Sequence, residues 1–528
     1  MPRIEICVLR ARPAAWIWVV LFAVSVAIPS PMVAQAGSAE QASRNLPVGH
    51  WAYEQIHRLR SRGYLVKLNP LIQPYRRIDV ARGLVALEPD TLTGPVSRWV
   101  RLLREEFRAE INRIAGREVG SWGLRFTAGG RASTSQRLDV LRPLGSKGIW
   151  PRYTAALWAE SGPIAIETRL LGDLHFNDDP DGLDPGQQRG GRSDNAYLSV
   201  QFPHGAVTVG RLLRNWSALG TRGLMVSAEP AAYSQLGLEL KLGRFTHNAF
   251  AGEMDTIDGH KRYLAAQRVD YTTDRLGLSF GQAILYASMT GGPQLRFLNP
   301  VELLFFEHGN KPADVTPNLV LDAQVWYQAD DFMIRAEGVL DDIIINPGVN
   351  PVDPTGPRRA PTRYAFSMGI RLTGLDERVE VSVDYERVSA FAYRTIGAAT
   401  DRYTFLNRGL GPNFGDYDVL SMRSDIFTLA PGLQLTPGVI VQRQGEGNIR
   451  EPINVLRGQP AIFLGATETT YRFELAGRYQ PNRHVRITWS VGENFVRDAG
   501  HSLGSKRSDF SAIVEAQFGL DLPRRISR

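Results

Sequence analysis

Two hydrophobic rhythms divide the chain. Between about residues 47 and 116 apolar positions recur at helical spacing. His50–Tyr64 places Trp51, Ile56 and Leu59 on one side and closes at Gly63. Arg76–Leu87 carries Ile78, Val80, Ala81, Leu84 and Leu87. Pro95–Ala115 carries Trp99, Leu102, Leu103, Phe107, Ile111 and Ile114, which predicts one long helix. On that helix Glu105, Glu106 and Glu110 alternate with Arg101, Arg104, Arg108 and Arg113 at i,i+3 and i,i+4 spacing, the pattern of a solvated face.

From about residue 119 the period becomes two. Tyr471, Phe473, Leu475, Gly477 and Tyr479 alternate with Thr470, Arg472, Glu474, Ala476 and Arg478. Val485, Ile487, Trp489 and Val491 follow in the same manner, and Val379–Glu386 and Phe510–Phe518 repeat it. Strands of about 9–11 residues are long enough to cross a bilayer at a tilt. Aromatic residues stand at the ends of the apolar face, where interfacial girdles belong, and the other face carries mixed charge suited to a polar lumen. A soluble sandwich would alternate over shorter strands without terminal aromatics. The fold class is therefore an all-β transmembrane barrel of antiparallel strands behind a small N-terminal helical module. About 400 residues at roughly 20–24 per strand and loop give about 16–20 strands, an even number in this class. Asn177–Asp194, Asn346–Pro361, Gly397–Asp418 and Gln444–Pro460 have the composition of outer loops.

The first 36 residues read as a cleaved export signal. Arg3, Arg10 and Arg12 precede the apolar run Trp16–Ile28, and Ala34-Gln35-Ala36 is an A-x-A cleavage site. The expected division is a signal peptide over 1–36, a periplasmic helical module over 47–116, an outer-membrane barrel over 119–518 and a C-terminal tail over 519–528. The one cysteine, Cys7, lies in the signal, so the mature chain has no disulfide, thiolate metal site or cysteine nucleophile.

The net charge of +7 is spread among charges of both signs along the strands. Nucleic-acid binding, which needs a clustered basic footprint, is not expected. No H-E-x-x-H, G-x-S-x-G, P-loop or dinucleotide fingerprint occurs, so no enzyme and no cofactor are expected. Asn177, Asp179 and Asp181 fit the first three ligand positions of a calcium loop with Gly182 at the turn, but Gln188 stands where a bidentate glutamate is needed. They remain a candidate metal set beside the simpler reading of a solvated loop. Asp341-Asp342 ends a strand and is expected at the water interface.

A series of segments carries a family resemblance. In order these are Val207-Thr208-Val209-Gly210-Arg211 with Trp216, Lys261–Arg268, Arg275–Tyr286, Leu295-Arg296-Phe297-Leu298-Asn299-Pro300, Asn318–Asp322 and Glu337–Asp342. The start adds Pro47, Trp51-Ala52-Tyr53, Leu59, Gly63, Pro74-Tyr75-Arg76-Arg77 and Asp79. Together they resemble the Wzi family of capsule-assembly outer-membrane proteins. One departure is Gln267, where the family pattern leads one to expect His. The resemblance implies an 18-stranded barrel with a periplasmic helical bundle, and a non-catalytic, lectin-like anchor for capsular polysaccharide. Outer-membrane lipids are the other implied partner. Trp51, Ile56, Leu59, Gly63 and Arg77 also look like an S-layer-homology repeat, which hints at cell-wall contact by the module.

Sugar binding calls for aromatic platforms flanked by polar donors. Tyr403, Phe405, Asn407, Arg408, Asn413, Phe414, Asp416 and Tyr417 have that mix in one loop and are the candidate polysaccharide-binding residues. The competing functions are a diffusion channel and a lipid-modifying barrel enzyme.

Overall fold

The computed structural model describes residues 41–134, 147–178, 191–288, 291–309, 317–342, 362–374, 377–394, 399–427, 429–453 and 460–526. The predicted signal peptide, the loop 346–361 and residues 179–190 lie outside the described residues.

Among the described residues four helices come first: α1 (Ala52–Arg60), α2 (Arg77–Val85), α3 (Gly94–Glu106) and α4 (Arg108–Ile114). Twenty strands follow among the described residues. The first seven are β1 (Gly120–Ser133), β2 (Gly148–Ser161), β3 (Ile164–Asp173), β4 (Gly191–Phe202), β5 (Gly205–Leu212), β6 (Tyr233–Leu242) and β7 (Phe245–Ile257). Next come β8 (His260–Thr272), β9 (Leu276–Ser288), β10 (Asn318–Gln328), β11 (Phe332–Asp342), β12 (Arg363–Gly374) and β13 (Val379–Val388). β14 (Thr404–Phe405) and β15 (Arg408–Gly409) form a small separate hairpin. β16 (Tyr417–Ile426), β17 (Leu433–Gln444), β18 (Glu468–Tyr479), β19 (Val485–Arg497) and β20 (Lys506–Ile526) complete the chain. Two short helices, α5 (Leu295–Leu298) and α6 (Leu304–Gly309), lie between β9 and β10.

Eighteen strands form one antiparallel sheet that closes on itself, because β1 pairs with β2 on one side and β20 on the other. Closure leaves no free edge. The period-two reading holds residue by residue. Phe473, Leu475 and Tyr479 point outward and are exposed, while Arg472 is buried in the lumen and Glu474, half-buried, pairs with it at 2.9 Å. Trp122, Leu124, Phe126, Phe495 and Phe510 are likewise exposed on the outside. An apolar exterior over a charged interior is the arrangement a membrane-spanning barrel requires.

The sequence placed a tail after Phe518, but β20 continues to Ile526. Gly519, Leu520 and Leu522 pair with Thr127, Phe126 and Leu124, and Leu520 and Leu522 keep the outward apolar phase of Phe518. Asp521, on the inward phase, accepts from Arg125 Nη2 at 3.0 Å. The segment therefore closes the seam.

Short turns occupy the end of the barrel where β1 starts and β20 finishes, and the longer connections occupy the other end. The helical module is docked at the turn end. Arg58 Nη2 donates to Asp425 at 3.2 Å and Gln434 at 2.8 Å, Arg62 Nη1 bonds Glu380 at 2.6 Å, and Arg113 Nη2 pairs with Glu160 at 2.6 Å. This docking corrects two expectations. The predicted long helix breaks at Phe107, where α3 ends and α4 begins. Arg77 Nη2 captures the Glu106 carbonyl at 2.8 Å, and the fully buried Phe107 ring lies 4.5 Å beneath the guanidinium. The charged face is also not wholly solvated: Glu106, Glu110 and Arg113 are buried. Their partners come from outside the helix, with Arg77 Nε on Glu110 at 2.6 Å and Arg125 Nη2 on Glu106 at 2.8 Å. A one-dimensional pattern does not contain those partners.

The loop end is also filled. Gly397–Asp418, read as an outer loop, turns inward over its described residues. Tyr403 donates to the Met225 carbonyl at 3.0 Å and Tyr393 to the Leu224 carbonyl at 2.8 Å. The 213–232 connection carries Trp216, Leu224, Met225 and Val226 into a core with Tyr393, Tyr403 and Tyr417. Full burial of each such aliphatic side chain stabilises by roughly 1.5–3 kcal/mol. Glu337 of β11 fixes that connection by accepting from Ser217 Oγ and from the Leu224 amide, both at 2.6 Å. Asp341 is likewise buried and accepts from the Tyr393 amide at 2.8 Å, so it anchors this inner loop and does not mark a water boundary.

Candidate functional site

The inner loop and the helical module leave a chamber between them. Its volume is about 1060 Å³. Helix α1 contributes Tyr53, Glu54, His57 and Arg58, and the turn before it contributes His50 and Trp51. The strands contribute inward-phase residues: Arg131 and Arg152 beside Asp173, then Arg192, Arg371, Arg478 and Arg486. Arg222 and Asn215 come from the inner loop, and Leu406 and Arg408 from the hairpin. The strand arginines share a wall because alternation sends every second side chain into the lumen.

The described lining holds nine arginines and five carboxylates: Glu54, Asp173, Glu229, Glu380 and Asp425. Carboxylates are shared. Glu54 sits against Arg58, Arg478 and, at 3.8 Å, Arg486. Glu515 accepts from Arg131 at 3.2 Å and from Arg152 at 3.3 Å. Arg192 stacks 4.4 Å over the Phe176 ring, and among the described residues no carboxylate pairs with it. The surplus is therefore positive and carried by guanidinium groups, whose fixed forks match carboxylate oxygens.

Burial sets the charge states on the module. Burial, and then the Arg371 guanidinium, pull the His57 imidazole down to about 3, so it is neutral at neutral pH. His50 is held well below the usual range by burial, against the opposing pull of Glu106. Burial alone would raise Glu54, but Arg478, Arg58 and Arg486 reverse that and hold it below the usual carboxylate range. The cations of the chamber are thus the arginines and not His50 or His57.

The eight loop residues singled out in the sequence fall in one inner segment, with different surroundings. Tyr403 and Tyr417 are fully buried, and neither ring has a face open to a ligand. Asn413 accepts from the Gly409 amide at 3.1 Å and Arg450 Nη2 at 3.0 Å. Asp416 accepts from the amides of Gly447 at 3.0 Å and Leu464 at 2.8 Å. Phe405 meets the Tyr233 ring edge-on at 5.6 Å, and Phe414 packs against the same core. Asn407 has a left-handed backbone (φ 65°) in the hairpin turn. Arg408 alone of the eight lines the chamber. Of the candidate metal set, Asn177 closes a short 3₁₀ turn, whereas Asp179 and Asp181 lie outside the described residues. Arg131, Arg152, Arg192, Arg371 and Arg486 were not singled out; their common signal is an arginine on the inward phase of a strand.

With this geometry the chain can be set beside known structures. Wzi, an outer-membrane protein involved in group 1 capsule assembly in Escherichia coli and a carbohydrate-binding β-barrel, superposes with a TM-score of 0.64 at 12% identity, over 91% of this chain and 100% of that one. The fold is that of Wzi. Pseudomonas aeruginosa OccD3 covers 76% of this chain and 91% of its own at 10% identity with a TM-score of 0.44, and OccK3 covers 76% and 96% at 13% with 0.41. No family model and no curated protein matches the sequence.

Proposed function

We propose that this chain is an exported outer-membrane protein, with its module facing the periplasm, that binds surface polysaccharide without catalysis and prefers an acidic polymer. The observation that carries this reading is the chamber with its surplus of guanidinium groups. Uronate or other acidic sugars supply carboxylates that bidentate arginines recognise. Trp51 and Phe176 are half-buried aromatic residues that line the same chamber, and Gln73, Asn215 and Gln434 supply neutral hydrogen-bonding groups. Ligand sites commonly measure roughly 300–1,000 Å³, so this volume suits a stretch of several sugar rings. Wzi is a carbohydrate-binding barrel of the same fold, and its role in capsule assembly supports an anchoring role here. A lumen entered from both ends by protein favours binding over diffusion.

The test is titration of a uronic-acid polysaccharide, and of its carboxyl-reduced counterpart, into the detergent-solubilised protein. Binding of the acidic polymer that weakens with salt and is lost on reduction is expected. Equal affinity for both polymers would overturn the acidic preference, and no binding of either would overturn the function.

A further inference from the structure

The outer wall of β8, β9 and β10 changes character at mid-strand. Toward the turn end, outward residues Val269, Leu278, Phe280, Val325 and Tyr327 are exposed. Toward the loop end, Tyr263, Ala265, Ile284, Tyr286 and Leu319 point to the same side yet are buried. At Phe495 and Phe510 on other strands, outer positions toward the loop end are bare.

What covers them is the 291–309 segment with α5 and α6, which folds back over the outside of the barrel. Phe297 and Leu304 pack onto Tyr263, Ile284, Tyr286 and Leu319. The Phe297 and Tyr286 rings lie 4.5 Å apart. Tyr263 donates to the Gly291 carbonyl at 3.1 Å, and Ser288 Oγ to the Gly292 carbonyl at 2.6 Å. The deepest contact is polar. The Glu302 carbonyl accepts from the Gln282 side chain at 3.1 Å and from Gln267, and the Phe305 amide returns a bond to Gln282 Oε1 at 3.4 Å. Gln267 and Gln282 face each other across β8 and β9 on the outward side. A bare glutamine amide there would be unsatisfied in hydrocarbon, which such barrels avoid.

Height along the wall identifies the occupant. Phe245, Tyr271, Tyr327 and Phe332 cluster as aromatic pairs at the turn end. Gln267 is four positions from Tyr271, so at ~3.3 Å per residue and a tilt of ~40° it stands ~10 Å above that girdle, within an apolar band ~25 Å tall. Tyr263 stands ~20 Å above it by the same rule. The segment covering them is thus within the band, and its exposed large apolar side chains are Leu295, Val301, Leu303, Phe305 and Phe306, with Asn299 the exposed polar one among its described side chains. They continue the bare surface of Leu278, Phe280 and Val325 below.

We propose that residues 291–309 are an intramembrane segment clamped to the outer wall, whose Leu295, Val301, Leu303, Phe305 and Phe306 face binds the acyl chains of the leaflet nearest the long loops. The Leu295–Pro300 motif and Gln267 serve this lipid contact and stand apart from the lumen.

The only cysteine is Cys7, so single-site labelling is direct. Phe305→Cys, Val301→Cys and, as a wall reference, Phe280→Cys are each built on Cys7→Ser, spin-labelled, and reconstituted in dimyristoylphosphatidylcholine vesicles. Heat-modifiable gel mobility selects folded protein. The labels at 305 and 301 are expected to match the one at 280, with high collision with oxygen and low collision with a water-soluble nickel chelate. Nickel accessibility at 305 and 301 would overturn the proposal in favour of a water-exposed loop. Low accessibility to both reagents with spin–spin broadening would overturn it in favour of a second copy of the chain on this face.

Discussion

Gln73 and Asn215 join the two ends of the barrel. The Gln73 amide donates to the Asn215 carbonyl at 2.8 Å, and the Asn215 amide returns the bond at 3.1 Å. One residue belongs to the module that enters at the turn end, the other to the loop that enters from the opposite end. Gly220 meets the module beside this bridge: its φ is +73°, and a Cβ there would lie 2.4 Å from the His57 ring, so only glycine fits. The Asn215 side chain braces the loop by accepting from the Gly223 amide at 3.0 Å and donating to the Thr221 carbonyl at 2.8 Å. Asn215→Ala removes both and is expected to cost about 1–3 kcal/mol of local stability. In planar bilayers it should raise the frequency of open-channel events over a wild type with no steady conductance. Unchanged traces would show that the loop is held elsewhere.

Glu54 is the hub of the Arg58, Arg478 and Arg486 group. Its folded pKa lies below its unfolded one, so the stability it contributes is full above about pH 4.3 and is lost as pH falls below that value. Glu54→Gln leaves three guanidinium groups short of a partner. It should destabilise module docking by about 3–5 kcal/mol at pH 7, the range for breaking a buried pair, and flatten the acid limb of a proteolysis-protection profile of residues 41–116. A variant as acid-sensitive as wild type would contradict this.

His57 acts in a higher window. Its folded value of about 3 lies below an unfolded value near 6.5, so protonation favours the undocked module. Stability from this group is complete above about pH 6.5 and falls by up to about 1.4 kcal/mol per pH unit between there and pH 3. His57→Gln should remove that slope while leaving the lower window of Glu54. Denaturant midpoints measured at half-unit pH steps separate the two.

Deletion of residues 519–528 removes the pairing of Gly519–Ile526 with Gly120–Thr127 and the Asp521–Arg125 bond. A barrel without that seam exposes an open edge in lipid. Heat-modifiable mobility should be lost or its yield cut several-fold. Full assembly of the truncated chain would make the terminal strand dispensable.

The fold was legible where one residue's phase decides its environment. Phe473 and Arg472 declare lipid and lumen by alternation alone, and the outcome agrees at each. Legibility failed where a partner distant in sequence decides. Phe107 interrupts a helix because Arg77 takes a carbonyl, and Glu110 is buried because Arg77 comes to it. The loop from 399 to 417 has the polar, aromatic composition of a sugar site, yet Tyr403 and Tyr417 bury in the lumen. Composition does not say which way a loop folds. The strand past Phe518 was missed because Pro523 and two arginines mask the alternation of Leu520 and Leu522.

The chamber is tested most directly by comparing affinities for an acidic oligosaccharide. Wild type and Arg131→Ser/Arg192→Ser are titrated side by side, with melting curves confirming equal folding. The double variant is expected to bind at least about tenfold more weakly and with a shallower salt dependence, since one charge-assisted contact contributes roughly 1.5–3 kcal/mol. Identical affinity and salt dependence in both proteins would contradict a guanidinium-lined binding chamber.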